Sequence, residues 1–103
     1  MIIVTTDFVS GKEVETLGVV RGSMIQSKNL GKDIMSALKG LVGGELREYS
    51  AMINEARAIA TKRMVEEATE LGADAVINLR YATSAVMQGA AEVLAYGTAV
   101  TFK

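Results

Sequence analysis

The chain has 103 residues, half of them hydrophobic, and its 11 Lys and Arg residues nearly balance 12 Asp and Glu residues, giving a formal net charge of −1. This length fits one domain with one core. No run of Lys or Arg occurs, which argues against nucleic acid or an anionic membrane surface as a partner. No apolar run is long enough to cross a bilayer and no basic-then-apolar segment opens the chain, so we expect a cytoplasmic protein.

Cysteine and histidine are both absent. Thiolate nucleophiles, disulfides, imidazole bases and zinc sites of the usual kind are therefore excluded by inventory. Methionine is the remaining soft ligand, and the methionines are scattered through apolar patterns, where filling the core is the expected role. The sequence gives no support to a mercury, copper or zinc site within one subunit, and we expect no cofactor.

The first half of the chain predicts two strands and a short helix. Residues 2–4 are β-branched and form a short first strand that suits a sheet edge, with a turn at Ser10-Gly11. Residues 13–26 alternate as a strand that is apolar on both sides. Asn29 can cap a helix. Apolar residues then recur at steps of four, four and three, at Leu30, Ile34, Leu38 and Leu41.

A single long helix is predicted over residues 43–72, with Glu45 in its first turn and Gly72 at its end. One apolar stripe runs along this helix at steps of three or four. The stripe consists of Leu46, Tyr49, Ile53, Ala56, Ala60, Met64, Ala68 and Leu71. Its middle is made of small residues, so we expect another element to approach the helix axis closely. Glycines at positions 18, 22 and 97 lie inside strand patterns and predict bulges or close backbone contacts.

The last third of the chain predicts an antiparallel hairpin, with residues 73–86 and 90–103 joined by a turn at Met87-Gln88-Gly89. One face of its second strand carries small residues that suit the alanine stripe, namely Val93, Ala95, Gly97, Ala99 and Thr101. The other face carries Leu94, Tyr96, Thr98, Val100 and Phe102. We therefore predict one α+β domain over residues 1–103, a small antiparallel sheet packed on one long and one short helix in the order β-β-α-α-β-β.

The second, larger-residue face of this strand has no helix left to cover it, because a domain of this size provides about two layers. Apolar patches of that kind usually mark an interface, so we predict a homo-oligomer. The alternative is that loops of the same chain bury about half of this face.

Several short motifs in sequence order resemble the YbjQ-like family, which is also labelled as heavy-metal-binding. They are Gly43-Gly44-Glu45 with Tyr49, Glu55-Ala56-Arg57, Gly72-Ala73-Asp74-Ala75-Val76 and Ala95-Tyr96-Gly97-Thr98-Ala99-Val100. The resemblance runs almost from end to end. It implies a dodecin-like subunit that assembles as a ring-like homopentamer, and it implies no activity, because the family's biochemical role is not established.

Five residues are candidates for a ligand site: Glu45, Tyr49, Arg57, Asn78 and Arg80. The first three flank the helix stripe. The last two are polar residues that, by simple alternation, project from one face of a strand together with Val76, Ala82 and Val86. They could line a pocket for a small anion or polar ligand between subunits, or form a network that fixes how subunits meet, and we favour the network.

The sequence thus predicts a homo-oligomeric binding or structural module whose main partner is itself. One alternative is metal-ion binding by carboxylates repeated around the ring. Another is an enzyme at a subunit interface with Glu45 and Tyr49 as its best acid–base pair, which we do not expect because this spacing occurs on many helices.

Overall fold

The computed structural model describes residues 1–27, 47–87 and 90–103. They form a four-stranded sheet and one helix, in the order β1 Ile2–Ile3, β2 Val14–Ser27, α1 Arg47–Glu70, β3 Ala75–Met87 and β4 Ala90–Phe102. The long helix and the hairpin of β3 and β4 confirm the predicted α+β class. The short helix predicted after Asn29 lies outside the described residues.

The strands lie in the spatial order β1-β3-β4-β2, so β1 is at an edge of the sheet, as predicted. Strands β2 and β3 both pair antiparallel with β4. Strand β1 pairs in parallel with β3, Ile2 opposite Ala75 and Ile3 opposite Val76. The sheet is therefore mixed, and the prediction of a wholly antiparallel sheet was wrong at β1. A parallel pair needs a long crossover between its strands, and here β2 and α1 separate β1 from β3 along the chain.

The core between helix and sheet is built from small helical side chains, as the stripe predicted. Ala56, Ala60, Met64 and Ala68 are all fully buried, and they pack against buried residues of the sheet. These sheet residues are Val20, Val76, Val93, Ala95 and Ala99. Leu71 departs from the prediction, since it lies after the last helical residue and is half exposed.

At Gly22, α1 approaches the sheet very closely. A Cβ atom at this position would collide with the backbone oxygen of Ala60 and the backbone nitrogen of Met64. Backbone atoms of a packed helix cannot move aside for one side chain, so the position requires glycine. Gly18 has a φ of 148° and lies at a register shift between β2 and β4, which is the bulge that a glycine inside a strand indicates.

A second irregularity interrupts β3 at Asn78. This residue has a φ of 55°, and the register with β4 shifts between Ile77 and Arg80. The amide of Asn78 donates to the Thr6 carbonyl at 2.9 Å. The shift changes which side chains share a face: Val76 packs beneath α1, whereas Arg80 lies opposite Tyr96 on the other face. The predicted simple alternation through Val76, Asn78 and Arg80 was therefore wrong.

The sheet face that points away from α1 is called the open face below. At one end the N-terminal residues cover it, because Val4 and Val9 pack with Val100, which is fully buried, and with the half-buried Phe102. At this end of the sheet, the prediction that the whole face is left without cover was wrong. The alternative holds here, since a segment of the same chain buries the face. Farther along, the face is exposed at Tyr96 and at Val19, which is 72% exposed.

Candidate functional site

The structure describes three of the five candidate residues in full. Glu45 lies outside the described residues, and Tyr49 lies in the first turn of α1 without a described side chain. Asn78 is half-buried at the bulge, while Arg57 and Arg80 are exposed. The enzyme alternative, with Glu45 and Tyr49 as its acid–base pair, is therefore not tested by the structure.

The two arginines have different environments. Arg57 lies on α1, and its Nη1 donates to the Asn54 Oδ1 atom at 3.1 Å, a contact within the same helix. The Arg80 Nη1 atom donates to two backbone oxygens, of Thr5 at 3.0 Å and of Leu79 at 2.8 Å. Arg80 therefore ties the N-terminal segment to β3, whereas Arg57 contacts no other element through a described hydrogen bond.

Arg57 and Arg80 also lie on opposite sides of the sheet. Arg57 belongs to the helix, which covers one face, and Arg80 lies opposite Tyr96 on the open face. Within one chain the two guanidinium groups therefore do not converge on one ligand. Any site that uses both would need a second subunit.

A cleft of about 420 Å³ lies beside Arg57, between α1 and the end of the sheet where β3 turns into β4. It is lined by Ile53, Arg57, Thr83, Ser84, Ala85 and Ala91. The lining combines one cationic group, two hydroxyl groups and a short apolar wall. Such a set suits a small anion with an apolar part, since a guanidinium binds a carboxylate or phosphate through paired hydrogen bonds.

One contact near this cleft escaped the sequence analysis. The hydroxyl groups of Thr61 and Tyr81 lie 2.7 Å apart and link α1 to β3. Thr61 Oγ1 also donates to the Arg57 carbonyl at 2.7 Å, so its single proton is used and Tyr81 is the donor between the two hydroxyls. Sequence spacing could not reveal this pair, because it depends on how β3 is placed beneath the helix.

Metal ligands do not gather within the described ranges of one chain. No group of three or more His, Cys, Asp or Glu residues there is placed to hold an ion. Among the same residues, no helix is both long and apolar enough to cross a membrane.

Comparisons with known proteins agree with the resemblance drawn from the motifs. A family model described as "Putative heavy-metal-binding" matches residues 1–103. A UPF0145 protein of Clostridium novyi (strain NT) is 74% identical over 97% of both chains. A UPF0145 protein of Alkaliphilus metalliredigens (strain QYMF) is 70% identical over 99% of both.

A solved structure shows the same fold. It is the crystal structure of a protein of unknown function from Pediococcus pentosaceus, assigned to the DUF74 family, with a TM-score of 0.68. The match covers 100% of this chain and 98% of that one at 20% identity, which supports the fold and nothing more specific. From the family model and the close relatives together, the chain belongs to the YbjQ-like family.

Proposed function

We propose that this protein is the subunit of a homo-oligomer, a ring of five as the dodecin-like resemblance implies, and that it acts as a binding or structural module. The observation that supports this most directly is the exposed part of the open face. A cytoplasmic location stays a prediction.

The open face carries apolar side chains that the described residues of the same chain leave in water. Val19 is 72% exposed and Ile25 is 54% exposed, both on the outermost strand β2. Tyr96 on the central strand β4 is 39% exposed. Exposed apolar side chains that share one face of a sheet can form the apolar centre of a protein interface.

Within the described residues, the cleft at Arg57 is our candidate for a ligand site. Its guanidinium group has one described partner, the Asn54 side chain, so several N–H donors remain for a small carboxylate or phosphate. The Thr83 side chain lies on the helix side of β3, in the same lining, and its hydroxyl can donate to the same anion. The structural alternative is an ion pair between Arg57 and a carboxylate of a neighbouring subunit.

Replacing Arg57 with Met separates these two roles, because Met keeps most of the side-chain volume and removes the charge. If Arg57 binds a ligand, the Arg57→Met oligomer keeps its native mass, and a small anion that copurifies with the wild type disappears from its mass spectrum. If Arg57 fixes how subunits meet, native mass spectrometry of the variant shows a smaller oligomer or a monomer. Asn54→Ala is the matched control, since it removes the helical partner of Arg57 and leaves the charge in place.

The assembly itself is tested by native mass spectrometry at micromolar concentration. We expect an oligomer for the wild type and a smaller species for Val19→Lys, which would place a charge in the apolar interface. Ala58→Lys is the control, because Ala58 is an exposed residue on α1. A wild type that is only monomeric would contradict the proposal.

Metal-ion binding is the second candidate, and the description of the family model is what favours it. With no Cys or His in the chain, the ligands would be carboxylates contributed by several subunits, a set that suits hard ions. Calorimetric titration of chelator-treated oligomer with Mg²⁺, Mn²⁺ and Zn²⁺ tests this. Absence of heat for all three would exclude the carboxylate site.

A further inference from the structure

The cleft beside Arg57 follows from a change of side-chain size along the helix side of β3. Tyr81, Thr83 and Ala85 lie on that side, since they pair with helix-side residues of β4. Tyr81 is long enough to reach α1, where its hydroxyl group lies 2.7 Å from that of Thr61. Thr83 and Ala85 are smaller, and both line the cleft. The space between helix and strand therefore opens where the long side chain is followed by short ones.

The spacings of helix and strand match along this cleft. A short turn, residues 71–74, joins α1 to β3, so the two elements run in opposite directions. Four residues of a helix advance about 6 Å, and two residues of a strand advance about 6.6 Å. One step from the hydroxyl contact brings Arg57 beside Thr83. The next step brings Ile53 beside Ala85, and all four residues line the cleft. The cleft therefore has a polar middle and an apolar outer end.

The polar middle suits a group with a single negative charge. The exposed Arg57 guanidinium has one described partner, the Asn54 Oδ1 atom, and its fork of N–H groups matches the two oxygens of a carboxylate. Among the described lining residues, Arg57 carries the one positive charge. A phosphate group carries about −1.5 to −2 charges at pH 7 and would keep part of its charge unpaired here.

The apolar outer end suits a short hydrocarbon chain. Ile53 and Ala91 are half-buried, Ala85 is exposed, and the three side chains form the apolar wall of the cleft. A hydrocarbon chain placed against this wall would remove apolar surface from water on both partners. The volume of about 420 Å³ lies within the about 300 to 1,000 Å³ that is usual for small-molecule sites.

We propose that the cleft binds a small aliphatic monocarboxylate. Its carboxylate group pairs with Arg57 and Thr83, and its hydrocarbon chain lies against Ile53, Ala85 and Ala91. The inference rests on the proposed ligand site at Arg57 and names the class of ligand. It also makes Ala85 a specificity-determining residue, because a larger side chain there would occupy the space of the hydrocarbon chain.

A series of carboxylates of increasing length tests the class of ligand. Acetate, propanoate and butanoate, with inorganic phosphate for comparison, are titrated into the ¹⁵N-labelled full chain, and binding is followed through amide chemical shifts. We expect saturable shifts at the amides of Arg57 and Thr83. The affinity should rise by up to about fourfold for each methylene group that the wall buries. Phosphate is expected to bind more weakly than butanoate.

Two matched variants of β3 test the role of the wall. Ala85→Leu is expected to weaken butanoate binding at least about tenfold and to remove the dependence on chain length, because the new side chain fills the outer end. Ala82→Leu is the control, since Ala82 is also exposed on β3 but lies on the open face, opposite Leu94. It should leave the affinity unchanged. Arg57→Met should abolish binding of all three carboxylates, and unchanged amide spectra away from the cleft show that each variant is folded.

The outcomes separate this inference from the proposed function. If phosphate binds as tightly as butanoate through Arg57, or if Ala85→Leu leaves butanoate binding unchanged while Arg57→Met weakens it, the class of ligand is wrong and the anion site stands. If no probe binds, or if Arg57→Met changes nothing, the inference and the ligand site at Arg57 both fail. The proposed homo-oligomer is untouched by either result.

Discussion

Strand β3 begins with three buried residues, Ala75–Ile77, and ends with the eight exposed residues Arg80–Met87. Both halves pair with β4, and both are rich in residues that favour strands. The difference lies in what covers them. The first half lies between α1 on one face and the N-terminal segment on the other, since Val76 belongs to the buried cluster beneath α1 and Ile77 to the cluster that contains Val9.

The second half has neither cover within the described residues, and its only described link to the helix is the Tyr81 hydroxyl bonded to Thr61. Burial in this protein therefore follows from the reach of two elements and not from the hydrophobicity of the strand. The bulge at Asn78 is the boundary between the covered half and the half that the described residues leave exposed.

The comparison predicts a large loss of stability for a Val→Ala substitution in the first half and a small one in the second. Val76→Ala removes two methyl groups from a fully buried site, and we expect the free energy of unfolding to fall by about 2 to 3 kcal/mol. Val86→Ala, at a half-exposed site, is expected to change it by less than about 0.5 kcal/mol. Urea unfolding of both variants at one protein concentration checks this. Equal losses would mean that the outer half is as well packed as the inner one.

Substitutions at the boundary residue, Asn78, are expected to have a smaller effect on the free energy of unfolding. Asn78 has a left-handed backbone conformation, which Asn tolerates and β-branched residues do not. We expect Asn78→Val to lower the free energy of unfolding by about 1 to 2 kcal/mol, and Asn78→Gly to change it little. If Val and Gly gave the same stability in urea unfolding, the backbone conformation at the bulge would not be the reason for Asn at this position.

Sequence patterns predicted the parts of the fold that depend on local spacing. The helix stripe at Ala56, Ala60 and Met64 and the close contact at Gly22 follow from a 3.6-residue period and from residue size, and both are confirmed. The parallel pairing of β1 was missed, because strand order depends on contacts between distant parts of the chain. The bulge at Asn78 was missed because counting every second residue assumes that no residue is inserted, although an Asn between apolar residues is a signal for it.

The candidate site was predicted less completely than the fold. Arg57 was identified from its position beside the helix stripe, and it does line a cleft. Its neighbours Thr83 and Ser84 were not identified, since ordinary hydroxyl residues in a strand give no signal until the register of that strand is known. Arg80 was identified as a polar residue in an apolar strand, but its described hydrogen bonds are to backbone oxygens of its own chain.

The smallest expected effect on stability concerns Arg80, which lies where the covered half of β3 meets the exposed half. Its guanidinium group holds the Thr5 carbonyl at the point where the N-terminal cover of β3 ends. Because the side chain is exposed, Arg80→Met should lower the free energy of unfolding by only about 0.5 to 1.5 kcal/mol, the usual net contribution of a hydrogen bond.

The more specific readout is hydrogen exchange at the amides of Asn78 and Leu79, which bond to Thr6 and Val4. These two amides should exchange faster in the variant while the amides of α1 stay unchanged, because the N-terminal segment would open locally. Unchanged exchange at both amides would mean that the segment is held without Arg80, and would leave its charge available for a ligand or a neighbouring subunit.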